Sequence, residues 1–416
     1  MRIQGKVAGI VFLSAIVAAC ANIDVRDDAR GFGVSGQRLK QLSAQISAEA
    51  QSGAIPGAVI LVARNGKIVY TDAIGLQDPS SGVPMKMDSI FRIASMTKPI
   101  VSVGAMMLVE EGKLVLADPV SKYLPELKGL KVGAENRDAA GNGVLEEVAA
   151  VREMTVQDLL RHTSGFTYGI FGKSLVKQRY VDANVDLDRN QTNSEHVGRL
   201  AKLPLAYQPG TTWEYSRSTD VLGAVIERVT GQTLDVFLFE GILKPLGMKD
   251  TGFSVDPAKH ARTAEAFAAD PETKSPVVLP DVRTPPRFLC GGACMVSTAT
   301  DYYRFLQMLL NGGELEGVRI LSRKSVELMT SDHVGTRIAR GELSPGYGFG
   351  LGFTVRIAPG EASSLGTVGD YGWGGLYGTS FFVDPKERLI GILMMQRPNF
   401  TKYARQFRTG VYSALD

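Results

Sequence analysis

Continuous and alternating apolar runs gather near the two ends of this chain, whereas its middle carries helical spacing. Residues 57–75, GAVILVARNGKIVYTDAIG, hold two β-rich runs joined by Asn65-Gly66, a pair that favours a tight hairpin turn. GYGFGLGFTVRI (346–357) and GTSFFVDPKERLIGILMMQ (378–396) read as further strands, the second stretch turning at Asp384-Pro385. In the first stretch Gly346, Gly348, Gly350 and Gly352 alternate with Tyr347, Phe349, Leu351 and Phe353. Period two places those glycines on one face of a strand, where something packs closely. No helix start follows, so a phosphate-binding loop is the poorer reading. Helices are expected from Arg38 to Gln51, in TVQDLLRHTSG after a threonine cap, and in DVLGAVIERVTGQ up to Gly231. Residues 128–154 look like an inserted loop or small hairpin. The pattern predicts an α+β fold, an antiparallel sheet built from both ends of the chain and flanked by helices, with a helical lobe inserted. Residues 36–115 and 285–416 would form the α/β part and 116–284 the mainly helical part.

The 416 residues, 44% of them hydrophobic, make one large two-part domain or two domains the expectation. The first residues, MRIQGKVAGIVFLSAIVAAC, carry Arg2 and Lys6, then an apolar stretch and small residues. They read as a signal peptide over 1–19, with Cys20 as a lipidated N-terminus and 20–35 as its tether. That implies a periplasmic protein held to a bacterial membrane by a lipid anchor only, and Ala21 after Cys20 leans towards the outer membrane. The net charge is +3, and such a leader would remove two cations. An almost neutral remainder gives no support for nucleic-acid binding. Cys290 and Cys294 of CGGAC could pair in an oxidising compartment. Two small, unpaired residues in a tight glycine-rich segment are the simpler and preferred reading. The four histidines are scattered without metal-ligand spacing, so no metal is expected, and the reading as a whole implies no organic cofactor.

Ser-x-x-Lys occurs twice, at Ser95/Lys98 and at Ser174/Lys177. The second lies in FGKSLVKQRYVD, a charged and loop-like stretch. After Ser95, the apolar positions Ile100, Val103, Met107 and Val109 follow approximate helical spacing, so Ser95 stands at a helix start with Pro99 in the first turn. Residues three apart share a helix face, and a desolvated amine there can accept the proton of a serine hydroxyl. A capping serine beside a solvated lysine is the plainer alternative. There is no G-x-S-x-G elbow, and His162 of RHTSG has no evident triad partner, so it reads as a structural histidine.

Six ordered segments add to these residues: FRIASMTKP, DLLRHTSGF, PGTTWEYSRSTDVLGAVIERVTGQ, KPLGMKDTGF, GGACMVSTATDYYRFLQMLLNGGELEG and YGWGGLYGTSFFVDP. With them the chain resembles the serine β-lactamase/penicillin-binding-protein superfamily, especially class C β-lactamases and family VIII carboxylesterases, from about residue 36 to 396. The resemblance implies a β-lactamase/transpeptidase-like fold and an acyl-enzyme formed on Ser95, with Tyr215 exchanging its proton beside the Lys98 cation. Tyr215 falls on the tyrosine of the family's Y-x-N motif. The third motif, K-T-G, falls on Trp373-Gly374-Gly375, which would bind substrate, and the amides of Ser95 and Leu376 would form the oxyanion hole.

Two departures bear on substrate. Arg217 stands at the asparagine of Y-x-N and could supply a cation to substrate if it turns inward. Trp373 replaces the lysine that meets a substrate carboxylate, and offers an apolar wall suited to an ester. The expected function is therefore hydrolysis of small carboxylic esters. β-Lactam or D-Ala amide hydrolysis is the first rival, and a non-catalytic binding protein of the same fold the second. The sequence leaves the oligomeric state open.

Overall fold

The computed structural model describes residues 31–398 and 401–416. The expected leader, Cys20 and most of the tether lie outside them. In chain order the elements begin with α1 (Gly36–Gln51), β1 (Gly57–Arg64), β2 (Lys67–Asp78), β3 (Val83–Pro84), β4 (Phe91–Arg92) and α2 (Thr97–Glu110). The middle of the chain supplies the β5–β6 hairpin (Lys131–Arg137, Gly143–Ala149). It continues through α3 (Val156–Leu160), α4 (Leu175–Asp182), α5 (Asn193–Leu200), α6 (Ser218–Thr230) and α7 (Leu234–Leu238). Then follow β7 (Val296–Ser297), α8 (Ala299–Leu310), β8 (Glu314–Leu315), β9 (Val318–Arg319) and α9 (Arg323–Met329). The chain closes with β10 (Tyr347–Phe349), β11 (Thr354–Arg356), β12 (Tyr371–Gly374), β13 (Ser380–Asp384), β14 (Leu389–Met395) and α10 (Thr401–Ser413).

The main sheet has eight strands in the order β10-β11-β12-β13-β14-β1-β2-β3, antiparallel throughout. Both ends of the chain thus meet at its centre, where β1 pairs with β14 from Ala58↔Met395 to Arg64↔Leu389. Period two divides β1 between two cores. Ala58, Ile60 and Val62 pack with Leu39, Leu42 and Ile46 of α1 and Phe407 of α10. Val59, Leu61 and Ala63 face the larger core that holds α2, α6 and α8. Asn65 (φ 52°) and Gly66 (φ 75°) both adopt the left-handed conformation that a two-residue hairpin turn demands.

Three local readings need correction. The glycine-alternating stretch is a hairpin rather than one strand. β10 and β11 pair from Tyr347↔Arg356 to Phe349↔Thr354, and Gly352, at φ 108°, turns the chain between them. The glycines do allow close approach, but to different neighbours. A Cβ at Gly348 would lie 2.2 Å from the Asp332 carboxylate, at Gly350 2.1 Å from the Met329 carbonyl, and at Gly352 2.6 Å from Ser102 Oγ on α2. The stretch around Ser174 is not loop but the start of α4, which Ser174 caps by accepting from the Lys177 amide. Cys290 and Cys294 form a disulfide. The Cys290 carbonyl accepts from the amides of Ala293 and Cys294, and this tight turn sets the two Cα atoms 5.3 Å apart, within bridging range. Between α7 and β7 the chain is also less helical than its spacing implied, running largely irregular apart from single turns at Phe239–Leu243 and Pro257–Arg262.

Candidate active site

Ser95 lies on a 3-10 turn, Ala94–Met96, that leads from β4 into α2. Ala94 before it holds φ 42°, a left-handed conformation that costs a non-glycine residue about 1 kcal/mol or more. The strained turn swings the chain from strand to helix and presents Ser95 to a cavity of about 650 Å³. Lys98, one turn further on, is completely buried. Its Nζ lies 2.7 Å from Tyr215 Oη, 2.8 Å from the Gly292 carbonyl, 3.2 Å from Tyr168 Oη and 3.4 Å from Ser95 Oγ. Tyr215 Oη in turn lies 2.6 Å from Ser95 Oγ. The phenol therefore stands between amine and serine, and is the closer partner of each.

The second Ser-x-x-Lys pair has none of this. Ser174 Oγ is occupied as a helix cap, and Lys177 Nζ pairs with buried Glu214 at 3.0 Å. Identical spacing thus yields a cap in one place and a buried nucleophile–amine pair in the other.

Tyr215 precedes α6 within an aromatic enclosure. Its ring centroid lies 5.1 Å from that of His162, 5.2 Å from Tyr168, 5.4 Å from Trp373 and 6.3 Å from Trp213. His162 is buried, and burial, then nearby Lys98, pushes its pKa well below the usual imidazole value. It is a neutral ring whose Nδ1 meets Ser216 Oγ at 3.1 Å, and it does not contact Ser95.

Tyr168 is the side chain that sequence reasoning missed. It follows a chain reversal at His162 (φ 57°), and no motif spacing marks it. Burial, then the proximity of Tyr215 and Asp220, drives its pKa well above the usual phenol value, so it remains protonated beside Lys98. Arg217 turns inward as the conditional reading required, yet not to substrate. Its guanidinium lies 4.6 Å from the Tyr168 ring centroid and pairs with Asp186 at 2.7 Å and Asp220 at 3.3 Å. Two buried carboxylates already neutralise it, and it is not among the residues lining the cavity. Arg217 supports Tyr168 instead.

Trp373 and Gly374 end β12 and line the cavity together with Ser95, Tyr215 and Leu376. A Cβ on Gly375 would lie 2.3 Å from the Ile93 carbonyl, so the end of the strand rests directly on the segment before Ser95. Among the described residues, the Leu376 amide has no hydrogen-bond acceptor. Such an arrangement can take a proton from a serine, hold its oxygen against a bound acyl group and offer the free Leu376 amide to a developing oxyanion. No grouping of His, Cys, Asp or Glu suited to a metal ion occurs among the described residues.

The family model described as Beta-lactamase matches residues 40–414. The chain is 37% identical to Protein Rv1367c of Mycobacterium tuberculosis, over 85% of this chain and 88% of that protein. It is 35% identical to Esterase EstB of Burkholderia gladioli, over 82% and 86% respectively. Among solved structures it resembles EstCE1, described as a hydrolase with promiscuous acyltransferase activity. The TM-score is 0.72 and the identity 27%, covering 90% of this chain and 99% of that one.

Proposed function

The chain belongs to the beta-lactamase family, and from that premise we propose that this serine hydrolase is a carboxylesterase acting on small esters through an acyl-enzyme. Tyr215 acts as its phenolate: Ser95 Oγ attacks the ester carbonyl, and its proton passes to the Tyr215 oxygen at 2.6 Å. Lys98, 2.7 Å from that oxygen, balances the charge there. The amides of Ser95 and Leu376 receive the oxyanion. Collapse of the tetrahedral intermediate breaks the bond to the alcohol oxygen, which takes the proton back from Tyr215. Water then repeats the sequence on the acyl-enzyme, releasing the acid and restoring Ser95.

The observation that carries the ester assignment is Trp373 on the strand beside Ser95, where the family's third motif has a lysine. An indole gives a substrate carboxylate no charge partner but packs well against an acyl or alcohol group. The two arginines along the same cavity stand on α10 and not on the strand beside Ser95. Arg408 pairs with Asp370, and Arg405 stands on the exposed side of α10. The esterase relative lends further support. The sequence leader and Cys20 support a lipid-anchored, periplasmic setting.

The test compares turnover of a short-chain p-nitrophenyl ester and a chromogenic cephalosporin by the wild type and by Ser95→Ala. Ester turnover should exceed cephalosporin turnover, and Ser95→Ala should lower it on the order of a thousandfold or more. Ester turnover surviving the substitution would sink the mechanism. A strong preference for the cephalosporin would instead move the assignment to amide hydrolysis.

A further inference from the structure

The disulfide lies at the back of the proposed catalytic amine. Between its two cysteines sits Gly292, whose carbonyl accepts from Lys98 Nζ at 2.8 Å and whose amide donates to Asp220 Oδ1 at 2.9 Å. Of the three residues between the cysteines, Gly291 and Gly292 must both lack a side chain. A Cβ on Gly291 would lie 2.4 Å from the Thr219 carbonyl, and one on Gly292 2.9 Å from the Asp220 carboxylate. The loop is thus pressed onto the first turn of α6, with little backbone hydrogen bonding of its own beyond the turn at Cys290. Glycine pairs are the most mobile backbone available, so geometry here requires an external constraint.

Immediately beyond Cys294 the chain is fixed to the nucleophile's turn. The Met295 amide donates to Thr97 Oγ1 at 3.1 Å, its carbonyl accepts from Ile93 at 3.0 Å, and β7 pairs with β4. On the other side, Cys290 is fully buried. The bridge therefore ties both ends of the three-residue loop 291–293 to fixed points and leaves one carbonyl aimed at Lys98.

We propose that the Cys290–Cys294 disulfide is a positioning device for Lys98, holding the Gly292 carbonyl where it orients the amine towards Tyr215 and Ser95. The inference rests on the proposed esterase chemistry for its readout. Opening the bridge frees Gly291 and Gly292, so the amine loses an oriented acceptor while the substrate-facing wall of Trp373 and Leu376 is untouched. The effect should fall on the chemical step and not on substrate binding.

The experiment measures ester turnover by the Cys290→Ser/Cys294→Ser variant and by wild type reduced with dithiothreitol. In the reduction, each cysteine sulfur gains one electron and one proton as the reagent closes to its cyclic disulfide. Alkylation and mass spectrometry count the thiols, and circular dichroism with a thermal melt verifies folding. In both folded forms kcat should fall roughly tenfold to a hundredfold with KM unchanged, and reoxidation of the reduced wild type should restore it. Unchanged kcat in either folded form without the bridge overturns the inference, as does a parallel change in KM. Unfolding of both forms also overturns it, because the bridge would then act as a general staple. Ser95→Ala, assayed alongside, separates the two levels. Its retained turnover would defeat the esterase reading, whereas its inactivity beside a fully active double variant would defeat only the role of the disulfide.

Discussion

Lys98 has one more oxygen neighbour than an ammonium has hydrogens. Tyr215, Gly292 and Tyr168 are nearer than Ser95, so they take the three donors, and the serine is left to the oxygen of Tyr215. Gly292 and Tyr168 thereby act through Lys98 without touching the reacting atoms. Tyr168→Phe should leave the ring against Arg217 but remove one acceptor. The freed donor then turns towards Ser95 and competes with Tyr215. The expected result is a kcat lower by roughly tenfold with KM unchanged, measured by ester kinetics. A change confined to KM would place Tyr168 in substrate binding instead.

At the scale of elements, the site depends on how the start of α2 is wedged. The 3-10 turn before it, strained at Ala94, is clamped by β7 on one side and by the end of β12 on the other. The turn between β10 and β11 presses on α2 from a third direction, through Gly352 against Ser102 and Pro99. Gly352→Ala would meet both an unfavourable φ of 108° and a Cβ 2.6 Å from Ser102 Oγ. Destabilisation of about 2 kcal/mol or more is expected in denaturant unfolding, with reduced ester turnover as α2 shifts. Wild-type stability and activity in this variant would show that the turn yields rather than the helix. The glycine alternation was legible in the sequence, and so was the need for close neighbours. Which neighbours they are was not, because the glycines of one short segment meet two separate parts of the chain, α2 on one side and Met329 and Asp332 at and just after the end of α9 on the other.

For the whole molecule, the eight-stranded sheet separates two hydrophobic cores, and the site lies where the larger core meets the chain between β6 and β7. That middle stretch depends on buried ion pairs as well as apolar contact. Asp158 of α3 is fully buried. Burial alone would raise its pKa, but hydrogen bonds from Arg152, the Thr155 amide, Thr163 and Arg161 outweigh it and hold the carboxyl at about 2, against an ordinary 3.8. A depressed carboxyl pKa stabilises the fold above the unfolded value. That contribution, on the order of 2 kcal/mol, is lost as pH falls from about 4 towards 2. Asp158→Asn should therefore be less stable than wild type at pH 6, with the gap narrowing below pH 4 in urea titrations at several pH values. A gap independent of pH would show that the loss is steric rather than electrostatic.

Periodicity alone determined the main elements: the hairpin at Asn65-Gly66, α1, α3, α6 and a sheet assembled from both ends of the chain. These are local consequences of where apolar residues recur and of which residues tolerate a turn. Resemblance in ordered motifs selected Ser95, Lys98 and Tyr215 before any geometry was known. Tertiary structure alone decided the rest, because it depends on which distant segments share the space around one amine. It made Ser174 a helix cap rather than part of a loop, set Arg217 between two carboxylates instead of facing substrate, and brought Tyr168 to Lys98. It also joined Cys290 to Cys294 behind that amine. Spacing along a chain reports which faces two side chains share. It does not report whether water, a carboxylate or a reacting hydroxyl fills the space beside them.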